Sequence, residues 1–387
     1  MKQGEKPRDT VELASALVGI ESFEHEQKAA LFTADYLREA GFDVHLDEVK
    51  PQRPNVIAQI ENNSQGPALM YCGHLDTVPP ADAGQLEPRL DGGKLFGRGS
   101  ADMKGGVAAM LSALCYLAEH RTEWSGKLMF LGTMGEETGL QGMSHFVRKR
   151  INEHRVDACI VGEPTAMNIG VAHKGMAWLR LATKGKEAHG SKPEQGVNAI
   201  YHMSLIVQAL EESLKDRLQQ RTHPMLGSPS VNVAIVQGGT RANVVPKACA
   251  IEIDRRVLPG EEIEAVLEEI RAVIDPLRRK HPLLDYELKV KNYNGPFAMD
   301  STAGIVRTVS DAACFCSGKR PAVVGLSYGT DASEIAAVDV PAVVYGPGLP
   351  EQAHTKGEYI DIAELKLAAQ VYRQIALLFC PKQDAGE

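Results

Sequence analysis

Apolar residues in the first part of the chain alternate between two kinds of pattern. Short, continuous apolar runs predict buried strands, near residues 54–61, 67–73, 127–133 and 156–162. Segments with helical spacing lie around 24–40, after Asp102 and around 138–150. Strands that alternate with helices in this way predict a mostly parallel sheet with helices on both faces.

The pattern changes near residue 175 and returns near residue 296. The intervening segments predict the order strand, helix, strand, strand, helix, strand, which begins with MAWLRLATKGK and continues over 196–217, 230–238, 244–257, 261–279 and 285–293. This is the order of a ferredoxin-like unit. Strand and helix then alternate again, with apolar runs at 321–326 and 342–346 and a final helix from Ala363.

These patterns together predict an α/β protein with a mixed, mostly parallel sheet flanked by helices and an inserted α+β ferredoxin-like domain. The boundaries we expect are 1–174 for the first part of the main domain, 175–295 for the insertion and 296–387 for the second part. The two crossings, at about 174–178 and 292–297, are expected to serve as hinges for closure of the inserted domain.

Composition narrows the class of protein. A chain of 387 residues is too long for one typical core, and 44% hydrophobic and 24% charged residues are ordinary for a soluble globular protein. A net charge of -8 argues against a nucleic-acid partner. The N-terminus shows neither a signal peptide nor a membrane-spanning run, and the seven cysteines are scattered, so we expect a reduced, cytoplasmic protein without a membrane partner.

Histidine and carboxylate residues follow several of the predicted strands. They are His74 and Asp76 in GHLDTVP, Asp102 in RGSADMKG, Glu136 and Glu137 in GEE, Glu163 in VGEP, and His354 in QAHT. In open α/β sheets, ligands bind beyond the carboxyl ends of the strands, so these turns are expected to converge on one crevice. Two imidazoles among several carboxylates indicate a divalent-metal site, with two metal ions expected, and hydrolysis.

Each of these residues has a simpler interpretation when it is taken alone. His74 and Asp76 lie on one side of an extended chain, so Asp76 is expected to hold the second ring nitrogen of His74. Asp102 precedes a helix, where Asp is a common N-cap. Glu136 and Glu137 would repel each other unless a cation or a shared proton relieves them, and the residues alone leave open which one binds metal and which one takes a proton.

A serine hydrolase is the mechanistic alternative. GLSYG at 325–329 matches the GxSxG nucleophile elbow, with Ser327 at its centre, and Asp331, Asp339 and His354 follow in the hydrolase order. The acid would then lie within a few residues of the serine, and no HGG-type loop is present to form an oxyanion hole.

With these motifs in order over nearly the whole chain, the sequence resembles the M20 family of metallopeptidases and deacylases. GLPEQAHTKGEYI and RGSADMKG look most like the branch of acetylornithine deacetylase and succinyl-diaminopimelate desuccinylase. The resemblance implies a zinc-peptidase-like catalytic domain that holds two zinc ions, although cobalt or manganese also suits imidazole and carboxylate ligands. It also implies that the inserted domain is a lid through which the chain forms a homodimer.

The resemblance assigns roles residue by residue. It implies that His74 and Glu163 bind one metal, that Glu137 and His354 bind the other, and that Asp102 bridges them. Glu136 becomes the general base, Asp76 orients His74, and His189 in KEAHGS reaches the partner subunit's site to steady the oxyanion. Candidates for holding the substrate are Asn243, Arg255, Gly329 and Thr330. Arg255 suits a substrate carboxylate, and an equally good interpretation is that it is a solvated residue on a strand of the lid.

The reaction we expect is hydrolysis of the amide bond of an N-acyl amino acid, of the deacetylase or desuccinylase type. A water flanked by two cations loses its proton near neutral pH, and Glu136 would accept that proton. The alternatives are a carboxypeptidase or dipeptidase that acts on short peptides, the serine hydrolase, and a catalytically inactive binding protein, against which the presence of every expected ligand argues. The sequence does not identify the acyl group.

Overall fold

The computed structural model describes residues 9–382, and the chain forms two units. The first unit comprises the chain up to Val171, Met299–Val324 and the chain from Thr330 onward. The second comprises Ala172–Ala298 and Gly325–Gly329. The segment Gly325–Gly329, which the sequence pattern places with the main domain, belongs to the second unit because Gly325 lies directly against Met225 and Leu226.

Strands and helices alternate over most of the described chain. The strands, in chain order, are β1 (Asp43–Lys50), β2 (Arg53–Glu61), β3 (Ala68–His74), β4 (Arg89–Asp91), β5 (Lys94–Phe96), β6 (Lys127–Thr133), β7 (Ala158–Val161), β8 (Ile169–His173), β9 (Gly175–Lys184), β10 (Ser230–Gly238), β11 (Ala248–Val257), β12 (Asp285–Asn294), β13 (Phe297–Ala298), β14 (Val323–Leu326), β15 (Ala342–Val344) and β16 (Tyr359–Asp361). The helices are α1 (Thr10–Val18), α2 (Gln27–Glu39), α3 (Gly105–Glu119), α4 (Gln141–Lys149), α5 (Ala199–Ala209), α6 (Lys215–Gln219), α7 (Ile263–Ile274), α8 (Gly304–Ser317), α9 (Ala332–Ala336) and α10 (Ile362–Phe379).

The main sheet of the first unit has the order β1-β2-β6-β3-β7-β15-β8. Its four central strands β6, β3, β7 and β15 are parallel, whereas β1, β2 and β8 pair antiparallel on either side of them. The prediction of a mixed, mostly parallel sheet with flanking helices is therefore confirmed: the central strands are parallel, and the antiparallel pairs lie on the two sides of the sheet.

Helices cover both faces of this sheet. Every residue of β3 is buried, as expected for a strand with helices on both sides. Leu69 and Tyr71 join the large core formed with α1, α2, α3, α8 and α10. Cys72, which points to the opposite face, contacts Asp331 at the start of α9. The sheet is thus fixed from both sides, and the loops at its edge are built on a rigid base.

The second unit has the predicted ferredoxin-like arrangement. Its sheet has the order β10-β11-β9-β12, and every neighbouring pair is antiparallel. Leu179 and Leu181 of β9 pack with Met203 of α5 and Ile270 of α7 in a separate core. Strand β10 lies at the edge of the sheet, and Val236 on it is 66% exposed.

A third, small sheet of the first unit was not predicted. Strands β16, β5 and β4 pair antiparallel, with Tyr359 opposite Phe96. Each strand has three residues, too few to produce a recognisable alternation in the sequence. The pairing brings the chain around Arg98 next to Glu358, and the backbone N–H of Gly97 donates to the Glu358 carbonyl oxygen (3.2 Å).

None of the helices within residues 9–382 combines the length and the apolar character that crossing a bilayer requires.

Candidate metal centre

Four parallel strands deliver most of the candidate ligands to one edge of the main sheet. His74 is the last residue of β3, Glu136 and Glu137 follow β6, Glu163 follows β7, and His354 lies in the loop after β15. Because the carboxyl ends of neighbouring parallel strands meet at one edge, side chains that are distant in sequence come together there. All of these residues belong to the first unit.

Asp102 reaches the same place from the turn between β5 and α3. Gly97 and Gly99 have positive φ angles in this turn, and a side chain at Gly97 would meet Val18 at 2.4 Å. The N-cap position of α3 is Lys104, so Asp102 does not cap the helix. The capping interpretation of Asp102 is therefore wrong, because the chain turns again before the helix begins and aims the carboxylate toward the two histidines.

The Asp102 carboxylate lies between the two histidines. Its Oδ1 is 2.9 Å from His74 Nε2, and its Oδ2 is 3.3 Å from His354 Nε2. Each histidine has a second carboxylate beside the same nitrogen: Glu163 Oε1 lies 3.7 Å from His74 Nε2, and Glu137 Oε1 lies 2.9 Å from His354 Nε2. The site therefore consists of two clusters, each with one histidine nitrogen and one glutamate carboxylate, and the two clusters share the carboxylate of Asp102.

The donor set suits metal ions. Ligand atoms of His74, Asp102 and Glu137 lie within 4.8 Å of one another, and so do those of His74, Glu136 and Glu163. Imidazole nitrogen with carboxylate oxygen is a set that zinc and related divalent ions accept. The residues present therefore fit a metal centre with more than one ion.

The charges of the site are poorly compensated by protein groups alone. Burial, together with the neighbouring Glu163, raises the pKa of Glu136 well above its ordinary value, and burial likewise raises the pKa of Glu163. Burial alone would lower the pKa of His74, but Glu163 and Asp102 hold it well above its usual range. Burial alone would raise the pKa of Asp102, but the hydrogen bonds from both histidines outweigh burial and lower it. A divalent cation would relieve this crowding of carboxylates.

Asp76 supports the centre through the loop that carries Glu136 and Glu137. The Nδ1 atom of His74 hydrogen-bonds to the backbone carbonyl of Asp76 (2.9 Å), and the Asp76 carboxylate is farther away, at 3.6 Å. The carboxylate instead accepts hydrogen bonds from the backbone N–H groups of Glu136 and Glu137, both at 3.1 Å. The role of its carboxylate in orienting His74 stays a prediction, with an ion pair at 3.6 Å in place of a hydrogen bond.

Two further buried residues, missed in the sequence, hold the same loop. The Glu26 carboxylate accepts a hydrogen bond from Gly135 N (3.1 Å) and pairs with Arg53, and Asn55 Oδ1 accepts one from Met134 N (3.0 Å). Four successive backbone N–H groups, from Met134 to Glu137, thus donate to buried side chains. No sequence signal marks Glu26, since it lies in a polar stretch more than a hundred residues before the loop.

Asp331 is buried close to the centre and belongs to its electrostatic surroundings. Its Oδ2 accepts a hydrogen bond from Thr133 Oγ1 (2.7 Å), and burial raises its pKa to about 6. These contacts argue against the serine-hydrolase alternative, because its acid and its histidine have other partners. Asp331 bonds to Thr133, and His354 lies beside Asp102 and Glu137. Ser327 itself is an exposed residue of a bend in the second unit.

The other predicted residues lie mainly in the second unit. His189 and Asn243 are exposed neighbours there: Gly190 N donates to the Asn243 carbonyl (2.8 Å), and the Nδ1 atom of His189 contacts Ser191 Oγ (2.7 Å). Arg255 is fully buried on β11, and its guanidinium pairs with Glu261 and Glu269. The alternative of a solvated lid residue is therefore wrong, because the side chain is fully buried, and substrate binding by Arg255 stays a prediction.

Gly329 and Thr330 lie just before α9. Gly329 is exposed, whereas Thr330 is buried and its Oγ1 accepts a hydrogen bond from Ala332 N (3.2 Å). Ser333 Oγ also donates to the Thr330 carbonyl oxygen (3.2 Å). The hydroxyl of Thr330 thus helps to start the helix, and its predicted contact with substrate stays a prediction.

Comparison with known proteins agrees with this site. Residues 70–378 match the model of peptidase family M20/M25/M40, and the chain belongs to this family. An acetylornithine deacetylase of Myxococcus xanthus is 31% identical over 355 residues, which cover 89% of this chain and 90% of that protein. The M20 fold and the metal site together make the protein a metal-dependent hydrolase.

Solved structures share the fold. Aminopeptidase PepT from Bacillus cereus superposes with a TM-score of 0.81 at 23% identity and covers 97% of this chain and 99% of its own. The YXEP protein of Bacillus subtilis, described as a dinuclear metal binding peptidase of the M20 family, superposes with a TM-score of 0.75 at 18% identity, over 97% of this chain and 98% of that one.

Proposed function

We propose that this protein hydrolyses the amide bond of an N-acyl amino acid, as a deacetylase or desuccinylase, with two metal ions in the centre around Asp102. The observation that carries the proposal is the position of the Asp102 carboxylate, with one oxygen at each histidine and a glutamate beside each pair. The similarity to acetylornithine deacetylase over nine-tenths of both chains supports the N-acyl amino acid as the substrate class.

In this proposal His74 and Glu163 would hold one ion, Glu137 and His354 would hold the other, and Asp102 would be shared by both. Zinc is the ion we expect, with cobalt and manganese as alternatives. Bound metal ions supply Lewis acidity for the carbonyl group and lower the pKa of water near neutrality.

Glu136 moves the proton. Its backbone is fixed by Asp76, and its side chain is close enough to His74 and Glu163 to face the reacting atoms. Burial raises its pKa well above its ordinary value, and a carboxyl group with a raised pKa suits general acid–base catalysis. Glu136 takes a proton from the attacking water and returns it to the nitrogen of the leaving amine.

The second unit supplies the remaining proposed roles. His189 has one ring nitrogen engaged by Ser191, which leaves Nε2 for an oxyanion, and Asn243 lies beside it. We propose that two chains associate through this unit as a homodimer and that His189 serves the partner subunit's centre. The exposed apolar edge strand β10 supports such an association. The seven free cysteines favour a reducing compartment, and we expect the cytoplasm.

The test is a hydrolysis assay with metal-loaded protein over N-acetyl, N-succinyl and N-aminoacyl amino acids and dipeptides. We expect turnover of one N-acyl class, its loss with a chelator and its return when metal is added back. Ser327→Ala should keep full activity. Preference for dipeptides would replace the deacylase by a peptidase, and chelator-resistant turnover that Ser327→Ala abolishes would replace the metal mechanism altogether.

A further inference from the structure

A buried ion pair lies behind the metal centre and touches two of its ligand-bearing segments. Arg98 Nη1 lies 2.5 Å from Glu358 Oε2, and their side chains are 3% and 1% exposed. An ion pair this deeply buried costs desolvation energy, so its contribution to stability alone is a weak reason for its presence. Its other contacts suggest what it does.

Glu358 fixes the backbone that carries Asp102. Its second oxygen, Oε1, accepts hydrogen bonds from the backbone N–H groups of Ala101 (3.0 Å) and Asp102 (3.1 Å). These N–H groups precede α3, where no helical carbonyl is available to them. Both carboxylate oxygens of Glu358 are therefore engaged, and Glu358 acts on the centre through the peptide of Asp102.

Arg98 reaches the segment that carries His354. Its Nη2 donates to the His354 carbonyl (3.5 Å) and to Gln85 Oε1 (3.4 Å), while Gln85 Nε2 donates to the carbonyls of Thr355 (2.9 Å) and Lys356 (3.0 Å). His354 has a φ of +62°, in the left-handed region. A residue other than glycine keeps that conformation only where its surroundings enforce it, and these contacts do so on three successive carbonyls.

The pairing of β5 with β16 explains why the two segments meet here. Tyr359 lies opposite Phe96, so the residues just outside the pair, Gly97 and Glu358, are also neighbours. By contrast, His74 ends β3 and Glu163 follows β7, and within residues 9–382 neither of them forms a hydrogen bond or ion pair with Arg98 or Glu358. The ion pair thus supports the shared carboxylate of Asp102 and, on one side of the centre, His354.

We propose that Arg98 and Glu358 are positioning residues that hold Asp102 and His354 at their joint separation and thereby set the affinity of the metal ion bound by Asp102, Glu137 and His354. The inference rests on the proposed function, because it assumes that these three residues bind an ion. It predicts unequal effects on the two ions. The pair holds both Asp102 and His354 of one ion, but it holds only the shared Asp102 of the other, whose remaining ligands His74 and Glu163 lie at strand ends.

The test is a cobalt titration of metal-free protein by calorimetry and by the visible absorption of bound cobalt. The wild type should bind two ions per chain. Glu358→Gln, which keeps an oxygen for the two N–H groups but loses the charge opposite Arg98, should weaken the ion of Glu137 and His354 by about 10- to 100-fold and weaken the other ion, which depends on this pair through Asp102 alone, clearly less. Arg98→Lys should weaken the same ion less, because it keeps the charge but cannot contact Glu358 and the His354 carbonyl together.

A matched control is available in the same unit. Asp47 is 4% exposed and pairs with Arg150 (2.8 Å) and His145 (3.1 Å), with no contact to a ligand-bearing loop among the described residues. Asp47→Asn should lower the thermal midpoint of the metal-free protein and leave both cobalt affinities intact.

The outcomes separate the two levels of the proposal. Two wild-type affinities in Glu358→Gln, or equal weakening of both ions, would overturn the positioning role while the proposed function stands. A wild type that binds fewer than two cobalt ions would instead overturn the proposed function. If Glu358→Gln yields no folded protein, Arg98→Lys decides, and unchanged affinities there would overturn the inference.

Discussion

Single residues of the same type have different surroundings in this centre, and we propose different roles for them on that ground. Glu136 and Glu137 are adjacent in sequence, yet Glu137 Oε1 touches His354, whereas burial raises the pKa of Glu136. The residues alone left open which of the two binds metal, and only the family resemblance assigned the base to Glu136. The short distance from Glu137 to His354 supports that assignment.

Replacement of Glu136 by glutamine tests its role as the proton carrier. The amide cannot accept the proton, so kcat should fall by about 10²- to 10⁴-fold. Metal content, measured by mass spectrometry, should stay at the wild-type level. Glu137→Gln is the neighbouring control and should lose metal. Substantial activity in Glu136→Gln would assign the base to another residue.

The pH dependence of stability tests whether burial raises the pKa of the acids around the centre. Burial raises the pKa of Asp76 from 3.8 to about 7 and that of Asp331 from 3.8 to about 6. Both acids bind a proton more tightly in the folded chain than in the unfolded chain. Their contribution to the stability of the metal-free protein should therefore be complete below about pH 4 and should be lost as the pH rises through 6 and 7. The slope is at most about 1.4 kcal/mol per pH unit for each group.

Urea unfolding of the metal-free protein between pH 4.5 and 8 measures this slope. Asp331→Asn should reduce the slope below pH 6, because the amide does not titrate. Metal-loaded protein should show a flatter profile, since the cation compensates the carboxylates. Stability of the metal-free wild type that rises over this range would contradict the description.

At the scale of elements, the centre depends on loops whose backbone is held by buried side chains. The loop from Met134 to Glu137 donates four successive N–H groups to Asn55, Glu26 and Asp76. These hydrogen bonds fix the backbone of a loop without regular structure, and with it the positions of Glu136 and Glu137.

Glu26→Gln should loosen this loop. The variant loses the ion pair with Arg53, and the loop carrying both glutamates becomes less well placed, so kcat/KM should fall by roughly tenfold. Hydrogen exchange of the amides from Met134 to Glu137 should accelerate while exchange in β6 stays slow. Unchanged protection of the loop would show that Glu26 matters only for overall stability.

The sequence predicted the strands and helices whose hydrophobic pattern extends over enough residues to be recognised. The central strands and the ferredoxin-like order produce such patterns, and the ligands follow strand ends directly. The three-residue strands β4, β5 and β16 do not, and Glu26, Arg98 and Glu358 act through single contacts between distant segments. Their roles are properties of tertiary packing and leave no local signal.

At the scale of the whole molecule, the chain divides into a unit that carries the metal centre and a unit with its own core. The second unit exposes an apolar edge strand, which natural proteins usually cover or charge. A partner chain at this edge would account for its composition and agrees with the proposed homodimer.

Val236→Lys tests that association. Val236 is 66% exposed on β10, and a lysine there should disfavour pairing of this edge with another chain. We expect light scattering to show monomers and kcat to fall with metal content unchanged, if His189 acts across the dimer. Leu283→Lys, at 68% exposure in the same unit, should stay dimeric. A dimer in Val236→Lys would place the interface elsewhere.

The most direct test of the central claim is anomalous diffraction from crystals of the zinc- or cobalt-loaded protein. We predict two peaks per chain, on either side of the Asp102 carboxylate, one about 2.0–2.2 Å from His74 and Glu163 and the other equally close to His354 and Glu137. A single peak, or none within reach of Asp102, would contradict a centre that holds two ions.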